Sequence, residues 1–227
     1  MRTLIKQLDN PASVVKVAQL AATRLAKGQV VVFPTDTVYG LAADARSSKA
    51  VQQLFNLKGR EEHKPFALLL PSVEYAWQTG LTPPAERSLL LARRLLPGAF
   101  TLLVQRSPET ELAAPLCTPK LGLRVPDFDF TLALTKAFEG PIALTSANPS
   151  GQPEPATSAE LCALWQGKVP LIVLSSTSAL SLASTVLDLT QTPPRLVRRG
   201  PHSLEELARL VGDRKSTRLN SSHRIRS

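Results

Sequence analysis

Five short stretches of the 227-residue sequence carry residue types that could hold an anion or a hydroxylated ligand. In FPTDTVYGLAADA (33–45) an apolar run ends at Pro34, and Thr35, Asp36, Thr37 and Tyr39 follow at once. Such a strand end faces a crevice in α/β sheets, where ligands collect, although a plain turn would look the same. LKGREEHKP (57–65) places Lys58 and Arg60 two apart, so an extended chain would project them the same way. An ammonium beside a guanidinium suits a polyphosphate, whereas Glu61 and Glu62 could equally make this a balanced surface loop. LGLRVPD (121–127) sets Arg124 inside an apolar run, and a buried guanidinium needs an anionic partner, internal or bound. PIALTSANPSG (141–151) runs into Thr145, Ser146, Asn148 and Ser150, a cradle of hydroxyls, an amide and free N–H groups, or else a capped turn. Finally Ser184 opens one apolar stretch and Arg198 closes another. No Ser–His, Cys–His or paired-carboxylate arrangement offers an acid–base engine, so such a site would act by positioning and by electrostatic stabilisation.

The elements that must position these residues alternate. Helices are expected at Pro11–Lys27, Ser48–Leu57, Pro84–Leu96, Thr131–Phe138, Ser158–Trp165 and across HSLEELARLVG (202–212). Asn10, Thr157 (with Ser158 as a rival) and the Ser203/Glu206 box supply their starts, and Gly28, Pro97-Gly98 and Gly212 their stops. Strands are expected at Val30–Phe33, Phe66–Leu70, Phe100–Gln105, Leu121–Val125, Ile142–Thr145, Leu171–Leu174, Thr185–Leu189 and Leu196–Arg198. Several are apolar at every position, which argues for an α/β sheet covered on both faces. No linker or repeat interrupts the chain before Gly212, so residues 1–212 read as one domain.

Composition narrows the function classes. With 43% hydrophobic and 20% charged residues the chain is an ordinary globular protein. No apolar run is long enough to span a membrane, and no secretory leader is evident. Two separated cysteines (Cys117 and Cys162) and three histidines match no metal spacing, and imply a reducing, cytoplasmic setting. The net charge of +9 invites a polyanion. Residues 213–227, however, hold five basic residues and one acidic, so without them the balance is +5. This segment reads as a disordered or non-native basic tail. P-loop, G-x-G-x-x-G and G-x-S-x-G motifs are all missing.

Taken together, FPTDTVYGL, KGREEHKP, PGAFTLL, LGLRVPD, LTSANPSG, STVLDL and VRRGP, in this order over residues 33–201, resemble the YrdC/TsaC family of threonylcarbamoyl-AMP synthases. The resemblance implies a single-domain, twisted mixed sheet with flanking helices and a concave basic cavity. It implies condensation of L-threonine, bicarbonate and ATP, with magnesium, to threonylcarbamoyl-AMP and pyrophosphate. A separate complex then uses the product to modify tRNA. Lys58, Arg60, Ser146, Asn148 and Arg198 would bind the nucleotide, with Lys58 and Arg60 serving catalysis. Thr35, Arg124, Thr145 and Ser184 would hold threonine, Arg124 on its carboxylate. No protein-borne metal site is implied beyond magnesium on the phosphates.

Departures from the family pattern are mild: Asp36 where glutamate is commoner, Glu61 and Ala99 where proline is, and Phe66 where leucine is. Ending near Gly212, the chain resembles the short members of the family. Two rival readings are a non-catalytic RNA-binding or ribosome-assembly module, and the related domain of hydrogenase-maturation carbamoyltransferases. The first, which would leave room for weak RNA binding, lacks basic–aromatic interleaving. The second lacks the zinc-finger and acylphosphatase segments it requires.

Overall fold

Val30 and Val32 pack into one apolar cluster, and Val31 and Phe33 into another. That split explains a run apolar at every position, because successive side chains of a strand point to opposite faces and both faces are covered. The computed structural model describes residues 1–59, 66–78, 81, 85–176 and 182–211. In chain order the elements are β1 (Leu4–Leu8), α1 (Pro11–Ala26), β2 (Val31–Phe33), β3 (Gly40–Asp44), α2 (Ser48–Lys58), β4 (Ala67–Leu69), α3 (Val73–Gln78), α4 (Glu86–Leu95) and β5 (Phe100–Gln105). They continue with β6 (Lys120–Arg124), α5 (Asp129–Ala137), β7 (Ile142–Ser146), α6 (Ser158–Trp165), β8 (Leu171–Ser175), β9 (Thr185–Asp188), β10 (Arg195–Arg198) and α7 (Leu204–Val211).

All the strands belong to one mixed sheet in the order β1-β8-β2-β3-β7-β4-β6-β5-β9-β10. The β1/β8, β2/β8, β4/β6 and β5/β9 pairs are parallel and the others antiparallel. Helices α1 and α5 cover one face through Ala18, Leu25, Phe130 and Leu134. The other face is covered through Leu54 of α2, Leu91 of α4, Trp165 of α6 and Leu207 of α7. The fold is therefore α/β with a twisted mixed sheet and flanking helices, as the sequence implied. Among the described residues no helix is long and apolar enough to cross a membrane.

Three elements escape the sequence reading. Strand β3, Gly-Leu-Ala-Ala-Asp, is built of poor strand formers, yet its first four residues are buried between β2 and β7. Strand β1 is a sheet edge with only Leu8 buried, so it has no apolar run to reveal it. Helix α3 is six residues long, too short to show a period.

The expected caps are present. Asn10 Oδ1 accepts from the Ser13 N–H at 2.9 Å, and Thr157 rather than Ser158 caps α6, accepting from the Glu160 N–H at 3.2 Å. The Ser203/Glu206 box closes reciprocally at 2.7 and 3.1 Å. The expected stop at Gly212 and the 213–227 tail lie outside the described residues.

Candidate functional site: a basic cavity at the strand ends

Strands β3, β7, β4, β6, β5, β9 and β10 are neighbours in the sheet, and residues from each line a cavity of about 740 Å³. Six of the nine residues singled out from sequence line it: Thr35, Arg124, Thr145, Ser146, Ser184 and Arg198. Lys58 and Asn148 stand behind Ser146 and are not among the lining residues. Arg60 lies outside the described residues.

Arg124 closes strand β6 and is buried, with its side chain 8% exposed. Its Nη2 donates to Asp36 Oδ1 at 2.5 Å and to Thr37 Oγ1 at 2.9 Å. The internal carboxylate partner that sequence alone left open thus exists, and it is Asp36. Burial nevertheless dominates both ends of the pair. It lowers the Arg124 pKa, with Asp36 opposing that effect and Arg198 adding to it. It raises the Asp36 carboxyl despite Arg124 and the Asp127 N–H. One buried counter-ion therefore does not fully offset the desolvation of this guanidinium. Moreover, Arg124 Nε is buried with no hydrogen-bond partner. Such an orphaned donor is costly, and a ligand oxygen would relieve it.

A chain of hydroxyls continues from Arg124. Thr37 Oγ1 lies 3.1 Å from Thr35 Oγ1, which donates to the Val38 carbonyl at 2.7 Å. Both threonines are fully buried, so the 35–38 turn is held rigidly against β6. On the opposite wall Ser184 Oγ and Thr101 Oγ1 are 2.7 Å apart. Arg198 Nη2 donates to the Ser184 carbonyl at 2.9 Å and to its Oγ at 3.1 Å, tying β10 to the start of β9. Gly200 permits this approach, because a Cβ there would lie 2.3 Å from the Thr185 nitrogen.

Lys58, 4% exposed, ends α2 just before Gly59 turns the chain at φ +61°. Its Nζ donates to the Ser146 carbonyl (2.8 Å) and Oγ (3.1 Å), and to the Asn148 carbonyl and Oδ1 (both 2.6 Å). Ser146 Oγ in turn donates to Asn148 Oδ1 at 2.6 Å. The ammonium is thus the organising centre of the SANPSG loop, and it presents Ser146 to the cavity. Spacing could not reveal this, because Lys58 and Asn148 are 90 residues apart.

Two further charged residues escape the sequence reading. Lys120 lines the cavity and is held by Asp188 Oδ2 at 2.9 Å. Glu154, in the loop after Gly151, lies where Lys58, Arg198 and Ser146 all favour its ionised form, yet burial outweighs them and raises its pKa. A carboxylate eight residues after Ser146 is the only trace of Glu154 in the sequence. Among the described residues no cluster of three metal-ligating side chains occurs, and Cys117 and Cys162 are free thiols.

Comparison with known proteins gives the chain its family. Residues 23–200 match the Sua5/YciO/YrdC family model, described as "Telomere recombination". The threonylcarbamoyl-AMP synthase of Pyrococcus abyssi is 35% identical over 198 residues, covering 86% of this chain and 57% of the relative. The human threonylcarbamoyl-AMP synthase is 38% identical over 176 residues, covering 75% and 62% respectively. The chain thus spans less than two thirds of the length of these curated relatives. Among solved structures, P. abyssi Sua5 complexed with L-threonine superposes with a TM-score of 0.82 at 31% identity, over 92% of this chain and 61% of that one. Escherichia coli YciO, at 22% identity, shares the fold with a TM-score of 0.78 over 91% of this chain and 99% of its own. With a family model matched over most of its length and the same architecture in its relatives, the chain belongs to the Sua5/YciO/YrdC family.

Proposed function

We propose that this protein is an L-threonylcarbamoyladenylate synthase, a nucleotidyltransferase that condenses L-threonine, bicarbonate and magnesium–ATP into threonylcarbamoyl-AMP and pyrophosphate. The observation that carries the reading is Arg124, a buried guanidinium with one internal carboxylate and an orphaned Nε at the wall of a hydroxyl-lined cavity. A second carboxylate, that of threonine, satisfies it. The likeness to a Sua5 complexed with L-threonine supports the same reading.

In this reading Thr35, Thr145 and Ser184 surround the amino acid while Arg124 holds its carboxylate. Ser146, Asn148, Arg198 and Arg60 take the nucleotide, and Lys58 acts by holding the loop that presents Ser146. The threonine ammonium and bicarbonate give the carbamate, with loss of one water and one proton. A carbamate oxygen then attacks the α-phosphorus of ATP in line, and the bond from that phosphorus to the pyrophosphate oxygen breaks. The cations stabilise the charge that gathers on the departing pyrophosphate. Magnesium, arriving on the triphosphate, neutralises part of that same charge. In this reading the protein works in the cytoplasm, where a tRNA threonylcarbamoyl-transfer complex consumes the product.

The test is mass spectrometry of a reaction holding ATP, bicarbonate and threonine. Threonylcarbamoyl-AMP and stoichiometric pyrophosphate are expected. Their absence from folded protein that still binds both substrates in calorimetry overturns the proposal.

A further inference from the structure

Phe100 and Thr185 are register partners in the parallel β5/β9 pair and both are buried. Phe100 belongs to the apolar cluster that includes Leu91 of α4 and Leu207 of α7, on the sheet face away from the cavity. Successive strand residues face opposite ways, so their chain neighbours Thr101 and Ser184 emerge on the cavity side, with hydroxyls 2.7 Å apart. The Thr185 N–H, donating to the Ala99 carbonyl at 3.0 Å, ties the two strands at this level. Residues 198–202 wrap around the start of β9. On the cavity side Arg198 donates to the Ser184 carbonyl and Oγ. Gly200 makes the crossing, where a Cβ would lie 2.6 Å from the Ala183 carbonyl oxygen. On the far side the His202 ring stacks on Phe100, with centroids 4.1 Å apart and planes 20° apart, and its Nδ1 lies 3.2 Å from Thr185 Oγ1.

Strand β10 needs such an anchor. It is the edge of the sheet, and its pairing with β9 shifts register between Leu196 and Arg198. Val197 and Arg198 line the cavity from it, yet both are exposed, so burial does little to fix them. From this wrapped geometry we propose that His202 is a positioning residue of the substrate site. From behind the sheet, without touching substrate, it fixes Thr185 and the 198–202 segment, and through them the places of Ser184 and Arg198. This rests on the reading above, which gives Ser184 to threonine and Arg198 to the nucleotide. Within the contact, the hydrogen bond sets the position. A stacked ring can slide, whereas the bond is directional, and among the described residues it is the one hydrogen bond of a fully buried hydroxyl.

Two substitutions separate bond from ring. His202→Phe keeps a ring on Phe100 and loses the bond, whereas His202→Asn keeps a polar atom at the place of Nδ1 and loses the ring. Binding of threonine and of magnesium–ATP is measured by calorimetry for both variants and the native protein, at a temperature where circular dichroism shows each to be folded. Both variants are expected to melt below the native protein. His202→Phe should bind both substrates about 3- to 10-fold more weakly, the size of one lost buried hydrogen bond. His202→Asn should bind them nearly as well as the native protein does. Native affinity in His202→Phe overturns the proposal, because His202 is then a packing residue alone. So does a loss in His202→Asn as large as that in His202→Phe. If His202→Phe does not fold, His202→Asn decides: retained affinity supports the proposal and lost affinity overturns it. A native protein that binds neither substrate fails the reading of the site itself, and this inference with it.

Discussion

Asp36→Ala tests whether Arg124 is held by charge and needs an anion at all times. The substitution removes, among the described residues, the one carboxylate on the guanidinium of a residue that is 6% exposed, leaving Nη2 with the Thr37 hydroxyl and Nε with no hydrogen-bond partner. Breaking a buried pair by deleting one partner costs about 3–5 kcal/mol, because the remaining charge is uncompensated. For a chain of this size each kcal/mol moves the melting temperature by about 2–4 °C, so a fall of roughly 6–20 °C is expected. Adding Arg124→Met removes the stranded charge and replaces its volume, so the double variant should melt above Asp36→Ala alone. Threonine provides the second arm. As a replacement carboxylate it should raise the melting temperature of Asp36→Ala more than that of the native protein, and should not stabilise the double variant, which lacks Arg124. Thermal denaturation of the three proteins with and without threonine reads all of this. A cost below about 1 kcal/mol for Asp36→Ala, the range of exposed ion pairs, would refute the reasoning. So would a double variant less stable than the single one.

Two further substitutions probe the supporting shell. Lys58→Ala removes the donor shared by the Ser146 and Asn148 carbonyls and leaves Asn148 Oδ1 with the Ser146 hydroxyl. It should cost about 2–4 kcal/mol in urea denaturation and weaken ATP binding at least tenfold, since the loop is no longer held; normal ATP affinity would remove Lys58 from the site. Asp188 is pushed up by burial, but hydrogen bonds from Thr190 and Lys120 prevail and leave its pKa below the ordinary 3.8. A carboxyl depressed in the folded state contributes stability above its unfolded pKa and loses it as pH falls through the folded one. Asp188→Asn should therefore cost about 1–3 kcal/mol near neutral pH, with the gap to the native protein closing below about pH 4.

The legible parts of this fold are those where one local signal decides. Runs such as Val30–Val32 and Leu68–Leu70 are apolar at every position because both sheet faces are covered, and their shortness and flanking residues separate them from buried helix. Caps at Asn10 and Thr157 were legible because a side chain satisfies backbone N–H groups three residues away. Strand β3 was not, because its Gly and Ala residues are chosen by close packing. A Cβ on Gly40 would lie 2.5 Å from Leu144 Cδ1 on the neighbouring strand, a constraint imposed by a residue 104 positions away. Local propensity carries no record of such a neighbour.

The same distinction runs through the site. Arg124, Ser146 and Ser184 were recognisable as polar residues in apolar settings, and that anomaly is what a binding wall looks like in one dimension. Lys58 was recognisable as a cation beside a strand, but not as a strut, because the oxygens it bridges belong to a distant loop. Glu154 was invisible, since an acidic residue in a Pro-rich loop needs no explanation until Lys58 and Arg198 are seen beside it. Buried charge also shows why the odd features coincide. Asp36 and Arg124 share a desolvation they do not fully offset, and Glu154 is under-paired between two cations. A fold selected for stability alone would have replaced such pairs with apolar residues. The orphaned Arg124 Nε at the cavity wall is the contact that a substrate carboxylate would complete.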